Sequence, residues 1–136
     1  NISTLQNFYL SNNLENNIFS YDRNLSTIMM QADLCITRAG ASSLAELSVL
    51  SIPFIAVPLP SARDDHQSAN ANFYKDKDCC WILEQSVFEE KIEEFLENIL
   101  KDKRDYLKKK ESLKKLNYDN SWINVNQKIL INIDEN

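Results

Sequence analysis

Residues 33–46 read Asp-Leu-Cys-Ile-Thr-Arg-Ala-Gly-Ala-Ser-Ser-Leu-Ala-Glu and contain Gly40, the only glycine of the chain. An apolar run precedes this glycine and a helical pattern follows it, which predicts a strand, a tight turn and a helix. Unpaired N–H groups and the helix dipole make such a helix N-terminus a site for anions. Glycine also reaches backbone angles that other residues avoid, and its missing Cβ lets a ligand come close. The sequence leaves open whether Gly40 serves the turn or a ligand.

A second apolar run, Phe54–Val57, follows the predicted helix Ala41–Leu50. The runs Leu34–Thr37 and Phe54–Val57, joined by that helix, form a βαβ unit, so the strands should be parallel and buried on both faces. The alternation of strands and helices along the chain predicts an α/β fold with a parallel sheet flanked by helices. Two further strands are predicted at Ile18–Tyr21 and Trp81–Leu83.

Helices are predicted elsewhere from apolar residues three or four positions apart. One of them opens with the sequence of a capping box, Ser86-x-x-Glu89. A later helix carries a cluster of lysines between Lys108 and Lys115, which we interpret as a solvated face and not as a phosphate site. The last apolar segment, Trp122–Ile133, has helical spacing, but its β-branched residues leave a strand open. The other predicted helices are Ile2–Asn13, Asp22–Gln31, a helix from His66 or Gln67 to Lys77, and Asp102–Leu116.

The composition argues against several classes of protein. At 136 residues the chain has the length of one domain, and its net charge of −5 argues against a non-specific nucleic-acid binder. No apolar run approaches the roughly 20 residues of a membrane-spanning helix, and no signal peptide is recognisable. The three cysteines lack metal-ligand spacing, which argues against a zinc site and favours a reducing compartment. Because the first residue is not Met, we expect the chain to be part of a longer protein.

Polar residues near the predicted strand ends are the candidates for chemistry. His66, the only histidine, follows Asp64 and Asp65 in the loop after the second strand, at the edge where parallel sheets bind ligands. The chain has no Gly-x-Ser-x-Gly motif, which argues against a nucleophilic triad with His66, and no distant partner that would complete a metal site at Asp64–His66. Contacts to a ligand in the loop, or a helix N-cap by Asp64 or Asp65, are favoured instead. Glu46 suits the two hydroxyls of a ribose, although its spacing alone favours an ordinary exposed glutamate. Arg38 suits a phosphate or an ion pair.

Three blocks of the sequence carry a resemblance: Ala32–Glu46, Ile52–Pro60 and Asp64–Ala71. In their order and spacing they resemble the C-terminal domain of glycosyltransferase family 28, the family of the bacterial peptidoglycan N-acetylglucosaminyltransferases. The resemblance implies a GT-B fold, in which two Rossmann-like domains face a cleft, with residues 1–136 as an incomplete C-terminal half. This half of the family binds UDP-GlcNAc, and the N-terminal domain binds a lipid-linked acceptor. The implied reaction transfers GlcNAc with inversion to lipid I and gives lipid II.

The resemblance also implies roles for individual residues. Glu46 would hold the ribose hydroxyls of the donor, and the turn from Arg38 to Ser43 would lie beside the nucleotide and its diphosphate. His66 and Gln67 would contact the GlcNAc or the diphosphate, and Asn70 would support their loop. No metal and no cofactor are expected. The full set of expected substrate-binding residues is Arg38, Gly40, Ala41, Ser42, Ser43, Glu46, His66, Gln67 and Asn70.

The chain also departs from the family pattern. The family's glycine-rich loop in the first βα unit of this domain is absent, because Gly40 is the only glycine. The N-terminal domain is absent as well, and with it the expected general base. No catalytic residue is therefore expected here, and the chain alone should lack transferase activity. The implied location of the full-length enzyme is the cytoplasmic side of the plasma membrane, as a peripheral protein on its inner face.

Two alternatives to this interpretation stay open. One is the soluble subunit of the eukaryotic two-subunit dolichol-linked GlcNAc transferase, whose His-Ala-Gly-Ser-Gly-type turn differs from Arg38–Ser43. The other is a non-catalytic α/β interaction module that has kept the fold and lost the ligand. The presence of Glu46, Gln67 and Asn70 argues against such a module, because sequence drift would be free to remove all of them.

Overall fold

The computed structural model describes residues 2–61 and 65–119. In these residues strands alternate with helices, as the sequence predicts for an α/β fold. The strands are β1 (Cys35–Arg38), β2 (Phe54–Val57) and β3 (Cys80–Ile82). None of the helices described is both long and apolar enough to cross a membrane. The helices are α1 (Ile2–Ser11), α2 (Leu25–Met29), α3 (Ala41–Val49), α4 (His66–Lys75), α5 (Phe88–Lys101) and α6 (Lys103–Asp119), and a 3₁₀ turn spans Gln85–Val87.

β2 is the middle strand of a parallel sheet with the order β1-β2-β3. Cys35 pairs with Phe54, and Phe54 pairs with Cys80, so the carboxyl ends of all these strands lie at one edge. Every residue of β2 is buried, because helices cover both faces of the sheet. This arrangement confirms the predicted βαβ unit and explains why Phe54–Val57 is an uninterrupted apolar run.

The side chains of β2 alternate between two cores, as the pleat of a strand requires. Phe54 and Ala56 belong to the core that α3, α4 and α6 cover, where Leu44 of α3 is completely enclosed. Ile55 and Val57 belong to the other core, which α5 covers. The two cores hold α3 and α5 on opposite faces of the sheet.

α3 ends in a left-handed residue that is not glycine. Ser51 has a φ of 55°, and the N–H of Ile52 donates to the carbonyl of Leu47 at 3.0 Å, which is the Schellman arrangement. From α6, the side-chain amide of Asn117 donates to the carbonyl of Ser48 at 2.6 Å and to the hydroxyl of Ser51 at 3.2 Å. The helix that begins at the candidate site is therefore held at its far end by α6.

The structure corrects several predictions made from the sequence. Ile18–Tyr21 forms no strand, because no strand lies beside it among the described residues and an isolated strand leaves its backbone groups unpaired. β1 begins one residue later and β3 one residue earlier than predicted. The capping box is wrong, because Ser86 lies inside the 3₁₀ turn and the N-cap position of α5 makes no side-chain hydrogen bond. The predicted helix or strand Trp122–Ile133 lies outside the described residues.

Lys109 is an exception to the predicted solvated lysine face of α6. It is only 6% exposed and donates to Oδ1 of Asp78 at 2.7 Å, with Oδ1 of Asp105 at 3.4 Å. Its ammonium lies 5.0 Å from the ring centre of Trp81, and the indole N–H of Trp81 donates to Asp105 at 2.8 Å. Hydrogen bonds from Lys108 and Lys109 lower the pKa of Asp78. This cluster joins α6 to β3 and to the turn after α4.

Candidate functional site

The candidate residues lie at the edge of the sheet where the strands end. β1 passes through Ala39 and Gly40 into α3, and β2 passes through Pro58 into the loop before α4. The pairing of β3 with β2 continues through Leu83, whose N–H donates to the carbonyl of Ala56 at 3.0 Å, and the 3₁₀ turn follows. The N-termini of α3 and α4 therefore open at the same edge, which is where open α/β sheets bind ligands.

Gly40 has an ordinary backbone conformation, with a φ of −68° and a ψ of 135°. Of the two alternatives left open by the sequence, the one in which this turn needs backbone angles reserved for glycine is therefore wrong. Among the described residues, a Cβ added to Gly40 would come near Oγ of Ser43, at an ordinary contact distance of 3.9 Å. Neither the backbone nor the packing requires glycine here, so its role in leaving room for a ligand stays a prediction.

The first turn of α3 is open. Gly40 occupies the N-cap position, where no side chain caps the helix. The first bond of the helix runs from the N–H of Leu44 to the carbonyl of Gly40 at 3.0 Å, so the N–H groups of Ala41, Ser42 and Ser43 have no partner within the helix. All these residues are exposed. Their N–H groups and the positive end of the helix dipole together suit a phosphate.

Arg38, the last residue of β1, is exposed next to this helix N-terminus. Its Nη1 donates to Oε1 of Gln85 at 2.6 Å and to the carbonyl of Val57 at 3.5 Å. No carboxylate among the described residues pairs with it, so its positive charge is available to an anion. It borders a cavity of about 390 Å³, lined by Ile36, Thr37, Arg38, Val57, Gln85, Phe88 and Glu89.

Glu46 is exposed on α3, about one and a half turns beyond Gly40. It follows Ser42 and Ser43 by four and three positions, so these side chains share one face of the helix. The described residues include no hydrogen-bond or ion-pair partner for its carboxylate. A carboxylate accepts several hydrogen bonds at once, so Glu46 is available to a diol that lies across the start of the helix.

Gln67 and Asn70 of α4 form hydrogen bonds to the backbone of the two segments that follow β2 and β1 at this edge. Oε1 of Gln67 accepts from the N–H of Leu59 at 3.0 Å, which ties α4 to the segment after β2. Nδ2 of Asn70 donates to the carbonyl of Ala39 at 3.1 Å, which ties α4 to the turn before α3. The expectation that Asn70 supports the loop of His66 is corrected here, because its amide reaches the neighbouring turn instead.

His66 is the first residue of α4 and is exposed at the same edge. Asp65 before it occupies the N-cap position with a left-handed φ of 52°, but it makes none of the capping hydrogen bonds that the N-cap alternative expects. Its carboxylate accepts from the hydroxyl of Ser68 at 2.6 Å and caps no helix N–H. Asp64 lies outside the described residues. The structure therefore places His66 at the edge of the sheet where α3 also begins, directly after the carboxylate of Asp65 in the chain.

The cysteines are free thiols that take part in the core. Burial raises the pKa of Cys35 and Cys79, and it raises the pKa of Cys80 to about 12. Thiols with a raised pKa are poor nucleophiles at neutral pH. Among residues 2–61 and 65–119, no group of three or more His, Cys, Asp or Glu side chains could hold a metal ion. The groups that the described residues offer to a ligand at this edge are N–H, guanidinium, amide, imidazole and carboxylate groups.

Gln85 is the residue at this edge that the sequence analysis missed. Its amide contacts Arg38 at 2.6 Å, although 47 positions separate the two residues in the chain. The available signal was its place two residues after the predicted strand Trp81–Leu83, where side chains from different strands converge.

Comparison with known proteins identifies the family. The model described as the glycosyltransferase family 28 C-terminal domain matches residues 2–121. The chain belongs to glycosyltransferase family 28. The sequence resemblance is thereby confirmed, and it covers all the described elements.

Relatives from the same family match at high identity. One from Pelagibacter ubique is 42% identical over 137 residues, which are 100% of this chain and 38% of the relative. One from Campylobacter jejuni is 42% identical over 93 residues, which are 68% of this chain and 27% of the relative. Each is named a UDP-N-acetylglucosamine–N-acetylmuramyl-(pentapeptide) pyrophosphoryl-undecaprenol N-acetylglucosamine transferase. The chain therefore spans 38% or less of the length of these family 28 proteins.

A solved structure of the same kind supports the fold. The crystal structure of Acinetobacter baumannii MurG matches with a TM-score of 0.67 and 29% identity, over 82% of this chain and 32% of MurG. The parallel sheet and its flanking helices are therefore part of the C-terminal half of a GT-B fold, as predicted.

Proposed function

We propose that this chain supplies the donor-binding part of an inverting N-acetylglucosaminyltransferase that converts lipid I into lipid II. Its donor is UDP-GlcNAc, and the acceptor of the whole enzyme is an undecaprenyl-linked muramyl-pentapeptide. These are the substrates for which the relatives are named, and an undecaprenol acceptor is favoured over dolichol for the same reason. The proposal includes no metal and no cofactor, because UDP-GlcNAc is a substrate of the reaction.

The open N-terminus of α3, between Arg38 and Glu46, is the observation that carries the proposal. The N–H groups of Ala41–Ser43 and the guanidinium of Arg38 offer donors to a diphosphate. Glu46 offers a carboxylate to the two hydroxyls of a ribose. A nucleoside diphosphate needs both kinds of partner. The arrangement therefore fits UDP better than it fits an isolated phosphate or a sugar alone.

The start of α4 would contact the sugar or the diphosphate of the donor. Gln67 uses its Oε1 to accept from Leu59, so its amide nitrogen is the group that can donate to the ligand. His66 lies beside it at the exposed start of the helix. Asn70 acts through the backbone, because its bond to the carbonyl of Ala39 fixes the turn before α3. We therefore assign contact roles to His66 and Gln67 and a supporting role to Asn70.

The rest of the transferase site would come from parts of the family that this chain does not span. The sequence has no glycine-rich loop, and β1 pairs on only one side among the described residues. We propose that the open side of β1 receives the first βα unit of the domain with that loop. The N-terminal domain would supply the acceptor site and the general base. This chain alone would then bind donor weakly and transfer nothing, and the whole enzyme would act at the inner face of the plasma membrane.

Titration of the chain with UDP, 2′-deoxy-UDP and UDP-GlcNAc, followed by NMR, tests the proposal. We expect millimolar binding of UDP and UDP-GlcNAc, and weaker binding of 2′-deoxy-UDP because it lacks one hydroxyl for Glu46. The variant Glu46→Ala should weaken UDP at least about tenfold, which is the low end of the loss for hydrogen bonds to a charged group. The same variant should no longer distinguish UDP from 2′-deoxy-UDP.

Glu94→Ala is the matched control, because it removes an exposed carboxylate from α5 on another part of the surface. It should leave the affinity for UDP unchanged, and circular dichroism should show that both variants fold. The proposal is wrong if UDP does not bind to the chain. The ribose assignment is wrong if Glu46→Ala binds UDP as tightly as the unaltered chain does.

A further inference from the structure

We propose that Gln85 is a positioning residue for the donor diphosphate, because it holds the guanidinium of Arg38 at the edge where α3 begins. The inference rests on the proposed function and adds a residue to it. Gln85 would not contact the nucleotide; it would act through Arg38. Three features support this role: the hydrogen bond between Arg38 and Gln85, the anchoring of the 3₁₀ turn, and the neutral charge of the amide.

The hydrogen bond between Arg38 and Gln85 joins the ends of two strands that are not neighbours. Oε1 of Gln85 accepts from Nη1 of Arg38 at 2.6 Å. Arg38 is the last residue of β1 and Gln85 follows β3, at the same edge of the sheet. β2 ends between them, and the carbonyl of Val57 is a second, longer acceptor for the same Nη1 at 3.5 Å. The guanidinium is therefore held across the end of β2, next to the open first turn of α3.

The 3₁₀ turn that carries Gln85 is anchored on both sides. Leu83 before it is buried and continues the pairing with β2. Val87, the last residue of the turn, and Phe88 after it pack against the core on the α5 face. An acceptor on such a turn has a fixed position, whereas the long arginine side chain is flexible by itself. Gln85 can therefore order Arg38 before a ligand arrives, which reduces the entropy lost on binding.

The partner of Arg38 leaves most of the guanidinium available. An arginine has five N–H donors, and the contacts among the described residues use only Nη1. The amide of Gln85 is also neutral. A carboxylate in its place would bind the guanidinium but would cancel the charge that attracts a diphosphate. Glu84 and Glu89 lie close by in the chain, yet the described contact is made by the neutral residue.

Titrations with UDP and with uridine separate this role from a structural one. Gln85→Ala should lower the affinity for UDP roughly three- to tenfold, the range that one net hydrogen bond supplies. It should leave the affinity for uridine unchanged, because uridine has no phosphate. Gln85→Glu should also weaken UDP, although it keeps an acceptor for Arg38. In a chain that already carries Arg38→Ala, the change Gln85→Ala should have no further effect on UDP.

Ser86→Ala is the matched control, because Ser86 is an exposed polar residue of the same turn. It should bind UDP as the unaltered chain does. The role of Gln85 is overturned if Gln85→Ala binds UDP with unchanged affinity. It is also overturned if Gln85→Ala lowers the affinity for UDP by the same factor in the unaltered chain and in the Arg38→Ala chain. A third contradicting result would be that Gln85→Ala lowers the affinity for uridine as much as the affinity for UDP. Absence of UDP binding to the unaltered chain would instead overturn the proposed function, and this inference with it.

Discussion

Gly40 occupies the N-cap of α3 without a side chain to fill it. Serine, asparagine and aspartate are preferred at that position, because their side-chain oxygen accepts from an N–H of the first turn. In this chain those N–H groups stay open, at the place proposed for a diphosphate. A capping side chain and a phosphate would compete for the same donors. Glycine at this position therefore sacrifices some helix stability and keeps the anion site free.

We predict that Gly40→Ser raises the free energy of unfolding by about 0.5–1 kcal/mol, because the φ of −68° suits serine and the hydroxyl caps the helix. The same change should weaken UDP binding. Denaturant unfolding followed by circular dichroism measures the first effect, and NMR titration measures the second. Gly40→Ala is the comparison, since it adds a Cβ but no cap, and its stability should stay close to that of the unaltered chain. A serine variant that is less stable, or that binds UDP equally well, contradicts the prediction.

Asp78 connects two helices to the sheet. It closes α4 in a left-handed conformation, with a φ of 56°, and the N–H of Cys79 donates to the carbonyl of Tyr74 at 2.8 Å. Its carboxylate accepts from the buried ammonium of Lys109 on α6. Asparagine tolerates the left-handed region as well as aspartate does, so Asp78→Asn removes the charge and keeps the turn.

We predict that Asp78→Asn lowers the free energy of unfolding at pH 7 by about 1 kcal/mol, the upper end for a partly exposed ion pair. The pKa of Asp78 is lower in the folded chain than in the unfolded chain, because Lys108 and Lys109 donate to it. Its contribution is therefore complete above its unfolded pKa of about 4 and disappears as the pH falls through the lower folded pKa.

The measurement for Asp78 is denaturant unfolding of both chains at a series of pH values. The difference in stability between Asp78→Asn and the unaltered chain should shrink as the pH falls below about 4. Asp76→Asn is the control, because it removes an exposed carboxylate two residues away. An equal difference at pH 3 and pH 7 would show that the loss does not come from the charge.

The sheet as a whole is covered on its faces but open along β1. Within the described residues β1 pairs only with β2, and Ile36 of β1 is 43% exposed. A strand with one unpaired side presents a row of free N–H and C=O groups, which is a template for another strand. This unpaired side is the reason for our proposal that a further strand lies beside β1 in the whole enzyme.

We predict that amide hydrogen exchange alternates along β1. The N–H of Cys35 donates to the carbonyl of Pro53 at 3.1 Å, and successive residues of a strand point in opposite directions, so the N–H groups of Ile36 and Arg38 face the open side. Their exchange should be at least about tenfold faster than that of Cys35 and Thr37, because it needs no opening of the sheet. NMR in deuterium oxide measures the rates. Equal protection of all four amides would mean that this side of β1 is paired in solution.

The sequence by itself determined the βαβ unit and the family. Leu34–Thr37 and Phe54–Val57 are short apolar runs around a helix, and this local pattern admits few structures because both faces of such strands must be buried. The sequence blocks around Gly40, Glu46 and His66 could also be recognised from the sequence, because each turn at a strand end is a contiguous stretch of the chain. The strand predicted at Ile18–Tyr21 was wrong, because a strand needs a neighbouring strand to pair with, and the local sequence pattern does not show whether one is present.

Only the tertiary structure decided which polar side chains act together. It brought Asn70 to Ala39 across 31 positions and Gln85 to Arg38 across 47, and it buried Lys109 of a face that reads as solvated. Such partners depend on the packing of α4, α6 and the 3₁₀ turn against the sheet. The physical reason is that a hydrogen bond selects its partner by distance in space, which the order of residues along the chain does not contain.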